Sequence, residues 1–104
     1  MDELIDKIEE AVKYILQGEI EKFEELAQLL VNAMMAVFPA MIASYNDPRM
    51  EDLREDAVYW PGQLERIINV FEKGDLFEIV DALYNETRPN MIELRDILKD
   101  RGVI

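Results

Sequence analysis

Apolar residues recur at helical spacing along almost the whole chain. In the first segment Leu4, Ile8, Ala11 and Ile15 lie three or four residues apart, with Ile5, Val12 and Leu16 beside them. Acidic residues fill much of the other face. This period predicts an amphipathic helix over residues 2–17. After Gly18 the series Ile20, Phe23, Ala27, Leu30, Met34, Val37, Met41 alternates steps of three and four. That is a heptad seam, and it predicts a second helix over 19–45 with a kink at Pro39.

Asn46-Asp47-Pro48 is a start signal. Asp47 suits an N-cap, Pro48 suits the first helical position, and a residue before proline resists helix. Met50, Leu53, Ala57, Trp60, Leu64, Ile67 and Phe71 then keep the three-four rhythm in phase across Pro61. The spacing predicts a third helix over 48–73, bent at Pro61. Gly74 is placed to end it in the left-handed conformation. Asp75 is placed to cap the next helix, with Glu78 three residues on in a capping-box pattern. The fourth helix carries Phe77, Val80, Tyr84, Met91, Leu94 and Leu98 on one stripe, and Pro89 kinks it or splits it in two.

Helices of this kind joined by short connections predict an all-α fold in one domain, 1–104. The expected architecture is a four-helix, mostly antiparallel up-down bundle with proline kinks. A rival arrangement keeps the chain helical through Gly18 and Gly74, giving two long helices that build four only as a dimer. A weak echo between QGEIEKF and KGDLFEI is better explained by tight helix turns than by duplication, because little else aligns.

One stretch changes the picture. Residues 26–46, LAQLLVNAMMAVFPAMIASYN, contain no charge although 33% of the chain is charged. Residues 26–45 supply 16 apolar positions, and a membrane span needs about 20. Three features oppose a membrane-anchored helix. The apolar residues are largely Ala and Met, Gln28, Asn32 and Pro39 interrupt them, and the flanks lack the Lys/Arg bias that orients a span. The amphipathic neighbours also need an apolar partner. The expectation is a helix surrounded by protein, partly by a second subunit, since a small chain has little material to wrap it. A homodimer is therefore expected and a membrane is not.

The balance of 23 Asp and Glu against 11 Lys and Arg leaves a net charge of −12. Such a chain opposes nucleic acid and anionic lipid alike. Half of the residues are apolar, so disorder is not expected either. Cys and His are both absent, and Ser44 and Thr87 are the only Ser and Thr. Disulfides, thiolate chemistry and His-activated nucleophiles are excluded. The acidic start carries no signal-peptide pattern, so the cytoplasm is the expected location. No cofactor is expected.

Carboxylates are the remaining reactive groups. Glu21-x-x-Glu24 followed by Glu78-x-x-Asp81 resembles the Mg²⁺ motif of all-helical MazG-like nucleotide pyrophosphohydrolases, although the gap here is much longer. That resemblance implies metal ligation by Glu21, Glu24, Glu78 and Asp81. Glu93-x-x-Asp96 matches the second half equally well. A solvated helix face explains such pairs in an acidic chain. The run DPRMEDLRED similarly reads as acid welcomed by a helix N-terminus, or as a site for a divalent ion or a basic partner. Tyr59-Trp60-Pro61 is the most distinctive stretch. Trp60 lies on the seam, so packing explains it first, and a partner-binding groove opened by Pro61 is the functional alternative. The six Met residues read as core filler or as an adaptable binding surface.

GDLFEIVDALYNETRPNM, residues 74–91, resembles a segment of small uncharacterised bacterial helical proteins: Gly-Asp opens a helix, Asp-x-Leu follows, and an acid precedes a proline. Size, acidity and helicity are similar to those of the small chaperones of flagellar and type III export. The function expected is a non-catalytic helical interaction module, a chaperone or adaptor for an amphipathic helix of a partner protein.

Overall fold

The computed structural model describes all residues, Met1–Ile104. The protein is an all-α four-helix bundle, elongated at 44 × 21 × 20 Å. Helix α1 covers Asp2–Leu16 and α2 covers Ile20–Ser44. A 3-10 segment follows over Pro48–Val58, then α3 over Tyr59–Lys73. The fourth rod has three parts in succession: α4 (Leu76–Val80), a π-helical stretch (Asp81–Thr87) and α5 (Arg88–Asp100). Helix α1 packs on α2 and on the fourth rod, and α3 does the same from the other side. The core runs along the axis through Ile8, Leu30, Met34, Phe38, Ile67, Leu83 and Met91, all fully buried.

The helix ends follow from local chemistry. Gly18 has φ +72°, and Glu19 N–H reaches back to the Tyr14 carbonyl at 2.9 Å. This is a Schellman stop, which only a residue at ease in left-handed backbone makes cheaply. Gly74 has φ +70° and ends α3 in the same conformation. The rival of two helices running through Gly18 and Gly74 is therefore overturned: both glycines turn the chain. Asp75 caps α4 by accepting from Phe77 N–H at 3.0 Å and Glu78 N–H at 3.2 Å. Asp47 caps the 3-10 segment through Arg49 N–H at 2.9 Å.

The prolines act in different ways. Helix α2 runs unbroken through Pro39, which faces solvent. The Met35 carbonyl it deprives of a partner lies on an exposed residue within reach of water. Pro61 corrects the expected third helix. Residues 48–73 are not one bent α-helix, because α3 begins at Tyr59 and the preceding stretch winds as 3-10. Pro61 has no N–H to offer the Ala57 carbonyl, and it suits a first turn, so the α-helix starts beside it. At Pro89 the fourth helix is split, as expected, by widened turns. Thr87 Oγ1 donates to the Ala82 carbonyl five residues back at 2.8 Å. Gln63 Nε2 crosses from α3 to the same carbonyl at 3.3 Å and to Thr87 Oγ1 at 2.9 Å. Gln63 and Thr87 are the two buried polar side chains, and they satisfy one another.

Helix α2 departs from the expectation of a helix covered on all sides. Its inner face buries Phe23, Leu30, Met34, Phe38 and Met41. Gln28, Leu29, Asn32, Met35, Ala36, Pro39, Ala40 and Ala43 are exposed. Only 22% of its most apolar 18-residue window is buried, although the helix is long and apolar enough to cross a membrane. Three neighbouring rods cannot enclose a fourth within one chain of this length.

Candidate functional site

A cleft of about 370 Å³ opens between the 3-10 segment, the start of α3 and one face of α5. Its floor is Tyr45, Trp60 and Leu94, and its walls are Leu53, Val58, Tyr59 and Ile97. Glu55, Asp56 and Glu93 stand around it, with the Asn90 amide at one side. Val58 is 79% exposed on the lip, an apolar side chain held in water beside an apolar opening.

The cleft is rigid on the floor side. Trp60 is 2% exposed. Its Nε1–H donates to Tyr45 Oη at 3.0 Å, and its ring meets Phe38 edge-on at 5.4 Å and Tyr59 at 4.9 Å. Asn90 Nδ2 donates to Tyr59 Oη at 2.8 Å, joining the α3 wall to α5. The 3-10 wall is tied down by arginines. Arg54 Nε donates to the Tyr45 carbonyl at 3.1 Å. Arg49 donates to the Gly102 carbonyl at 2.7 Å, and Arg101 returns to the Arg49 carbonyl at 2.8 Å and to Asp52. Burial raises the Tyr45 and Tyr59 hydroxyls above the ordinary phenol range, so both are neutral hydrogen-bonding groups here. Arg49 beside Asp47 holds that carboxyl down at about 2, so the cap at the mouth of the 3-10 segment stays charged.

The residues expected from the sequence are distributed unevenly. Tyr59 and Trp60 both line the cleft, but Trp60 is a buried floor residue and presents no free surface of its own. Pro61 is exposed and lies outside the lining. The four carboxylates of the metal reading are not brought together. Glu21 borders a shallow depression at the start of α2 with Gly18 and Lys22, and Glu24 is exposed one turn on. Glu78 and Asp81 border a different hollow beside Leu16 and Phe77. No three Asp or Glu side chains lie close enough to hold a metal ion, so the resemblance to the pyrophosphohydrolase motif stops at the sequence pattern.

Leu53, Val58, Glu93, Leu94 and Ile97 are the lining residues that sequence reasoning did not join to Tyr59. Glu55 and Asp56 had a signal, the acidic run already open to a basic-partner reading. Glu93, Leu94 and Ile97 come from a helix some 35 residues away and carry none. No family model matches the chain, and no similar curated protein or solved structure was found.

Chemically the site has carboxylates, phenols and one amide around an apolar floor. There is no hydroxyl or thiol nucleophile beside a base. What it offers a ligand is apolar burial framed by negative charge.

Proposed function

We propose that the protein is a non-catalytic interaction module, a chaperone or adaptor acting in the cytoplasm, whose acidic cleft holds a basic amphipathic helix of a partner protein. The single observation that carries this is the combination of an apolar floor with Glu55, Asp56 and Glu93 around it. An amphipathic helix sets one or two apolar anchors into such a hollow, and Lys or Arg at neighbouring positions meet the rim. Rim charges of this kind contribute mostly to encounter rate and specificity, and the buried anchors to residence time. The shared net charge of −12 extends the same preference over a longer range.

The test is fluorescence anisotropy with a labelled amphipathic peptide carrying Leu and Lys at helical spacing. Binding is expected, weakening as salt rises. Glu93→Lys and Glu55→Lys together should weaken it by roughly tenfold or more, and Val58→Asp should do the same through the lip. Affinity unchanged by all three substitutions would reject the cleft as the site. Circular dichroism checks that these exposed substitutions leave the helices intact.

A further inference from the structure

The fourth rod is out of phase with its own sequence. Counted back from Leu98 and Leu94 in regular α-helical steps of three and four, its inner stripe continues through Met91 and Thr87 to Tyr84, Val80 and Phe77. In the structure that stripe holds only as far as Thr87. Before it, Phe77 is 90% exposed and Tyr84 43%, while Ile79, Ala82 and Leu83 are buried. The π-helical stretch Asp81–Thr87 lies between the two phases. A π turn closes five residues back instead of four, as Arg88 N–H does on the Leu83 carbonyl, so it takes in one extra residue. One extra residue turns the helix before it by about 100°. That rotation moves Phe77 and Tyr84 from the inner face to water and puts Ile79 and Leu83 in their place.

We infer that this stretch is a register switch: the fourth rod has a second state, α-helical from Leu76 onward, in which α4 is turned back by about 100° and Phe77, Val80 and Tyr84 face the core. Each register buries one coherent apolar set, Ile79, Ala82 and Leu83 in the first and Phe77, Val80 and Tyr84 in the second, so neither leaves α4 without an inner face. Two local features hold the observed register. The Ala82 carbonyl accepts from Thr87 Oγ1 at 2.8 Å and from Gln63 Nε2 at 3.3 Å, bonds that depend on the widened turn. Pro89 has no N–H for the Asn85 carbonyl, and its ring crowds that carbonyl in a regular α-helix. Little else has to move. Helix α4 is five residues long, its cap travels with it because Asp75 accepts from Phe77 and Glu78 N–H, and Gly74, at φ +70°, joins it to α3. What the switch controls is an apolar patch. In the observed register Phe77 shares an open hollow of about 630 Å³ with Leu16, itself 74% exposed. The second register withdraws Phe77 from it.

The second register is the minor one, on the order of 0.1–10% of molecules. Exchange between helix registers falls in the μs–ms range, which NMR relaxation dispersion on the isotope-labelled chain reads directly. Exchange is expected over residues 76–87 and not in α1. Pro89→Ala, at an exposed position, removes the bar to a regular α-helix and should raise the second population by at least about tenfold, with the Phe77 and Tyr84 rings gaining Overhauser contacts to core methyl groups. Phe77→Asp costs the observed register little, because that side chain stands in water, but it buries a charge in the second. It should quench the exchange. Flat dispersion over 76–87 in Pro89→Ala would overturn the inference. So would exchange that Phe77→Asp leaves unchanged, which would be fraying of α4 and not a second register.

Discussion

Removing one buried hydroxyl tests whether the widened turns of the fourth helix are held by the polar knot at their centre. Thr87 is 0% exposed. Its Oγ1 donates to the Ala82 carbonyl at 2.8 Å and accepts from Gln63 Nε2 at 2.9 Å. Thr87→Val keeps the shape and deletes both bonds. The groups left behind are not stranded, because Gln63 Nε2 still reaches the Ala82 carbonyl at 3.3 Å and Glu86 Oε1 at 3.2 Å. Two neutral hydrogen bonds at a net value of about 1 kcal/mol each, with little orphaning penalty, give a loss of about 1–2 kcal/mol. That is a large share of the roughly 5–15 kcal/mol that stabilises a domain. At this chain length each kcal/mol lowers Tm by about 4–8 °C.

The assay is urea unfolding followed both by circular dichroism and by the emission of Trp60. Gln63→Leu removes the shared bond to Thr87 from the other side, together with its own bonds to the Ala82 carbonyl and Glu86. The double variant should therefore lose clearly less than the sum of the two, with a coupling of about 0.5 kcal/mol or more. A Thr87→Val protein within about 0.3 kcal/mol of the parent, or costs that add fully, would refute the knot as a cooperative unit.

Three further outcomes follow from the same geometry. Gly62 and Gly74 each have open space where a Cβ would stand, but only Gly74 has a positive φ; Gly62→Ala should stabilise α3 by about 0.5–1 kcal/mol and Gly74→Ala should cost about 1 kcal/mol or more, measured by thermal melts. Asp75→Ala removes the cap of α4 and should cost about 1 kcal/mol in the same melts. The Arg66 guanidinium, with Nε and Nη2 each 2.7 Å from Glu86, holds that carboxyl below its ordinary range. A pKa lowered on folding contributes stability above the unfolded value and loses it as pH falls through the folded one. Glu86→Gln should thus cost about 1 kcal/mol near neutrality, and the gap from the parent should close as pH drops below the ordinary carboxylate range.

The four rods were legible because burial and period agree in them. Leu4, Ile8 and Ala11, or Leu94 and Leu98, are predicted and found inside. The turns at Gly18 and Gly74 were legible because left-handed backbone leaves few other choices. The 3-10 winding of residues 48–58 was not. Met50 and Leu53 lie three apart, a spacing that fits three residues per turn as well as 3.6. The heptad seam of α2 found Phe23, Leu30, Met34 and Met41 but missed Phe38, which is 1% exposed. In a stretch without charges nothing in the pattern separates the covered side from the open one. Tyr59 and Trp60, distinctive in the sequence, both line the cleft, but their neighbours on α5 are joined to them only by the bundle. The Gln63–Thr87 bond spans 24 positions, and no periodicity announces it.

The proposed docking of a basic amphipathic helix places it in the cleft between the 3-10 segment and α5. The most direct measurement is a titration of isotope-labelled protein with such a peptide, following backbone amide and side-chain resonances by NMR. Docking in the cleft should give the largest shifts at Val58, Tyr59, Asn90, Glu93 and the Trp60 indole N–H, with the exposed face of α2 changing little. Shifts centred on Leu29, Met35 and Ala36 instead, or no saturable shifts around Glu93 at low salt, would contradict it.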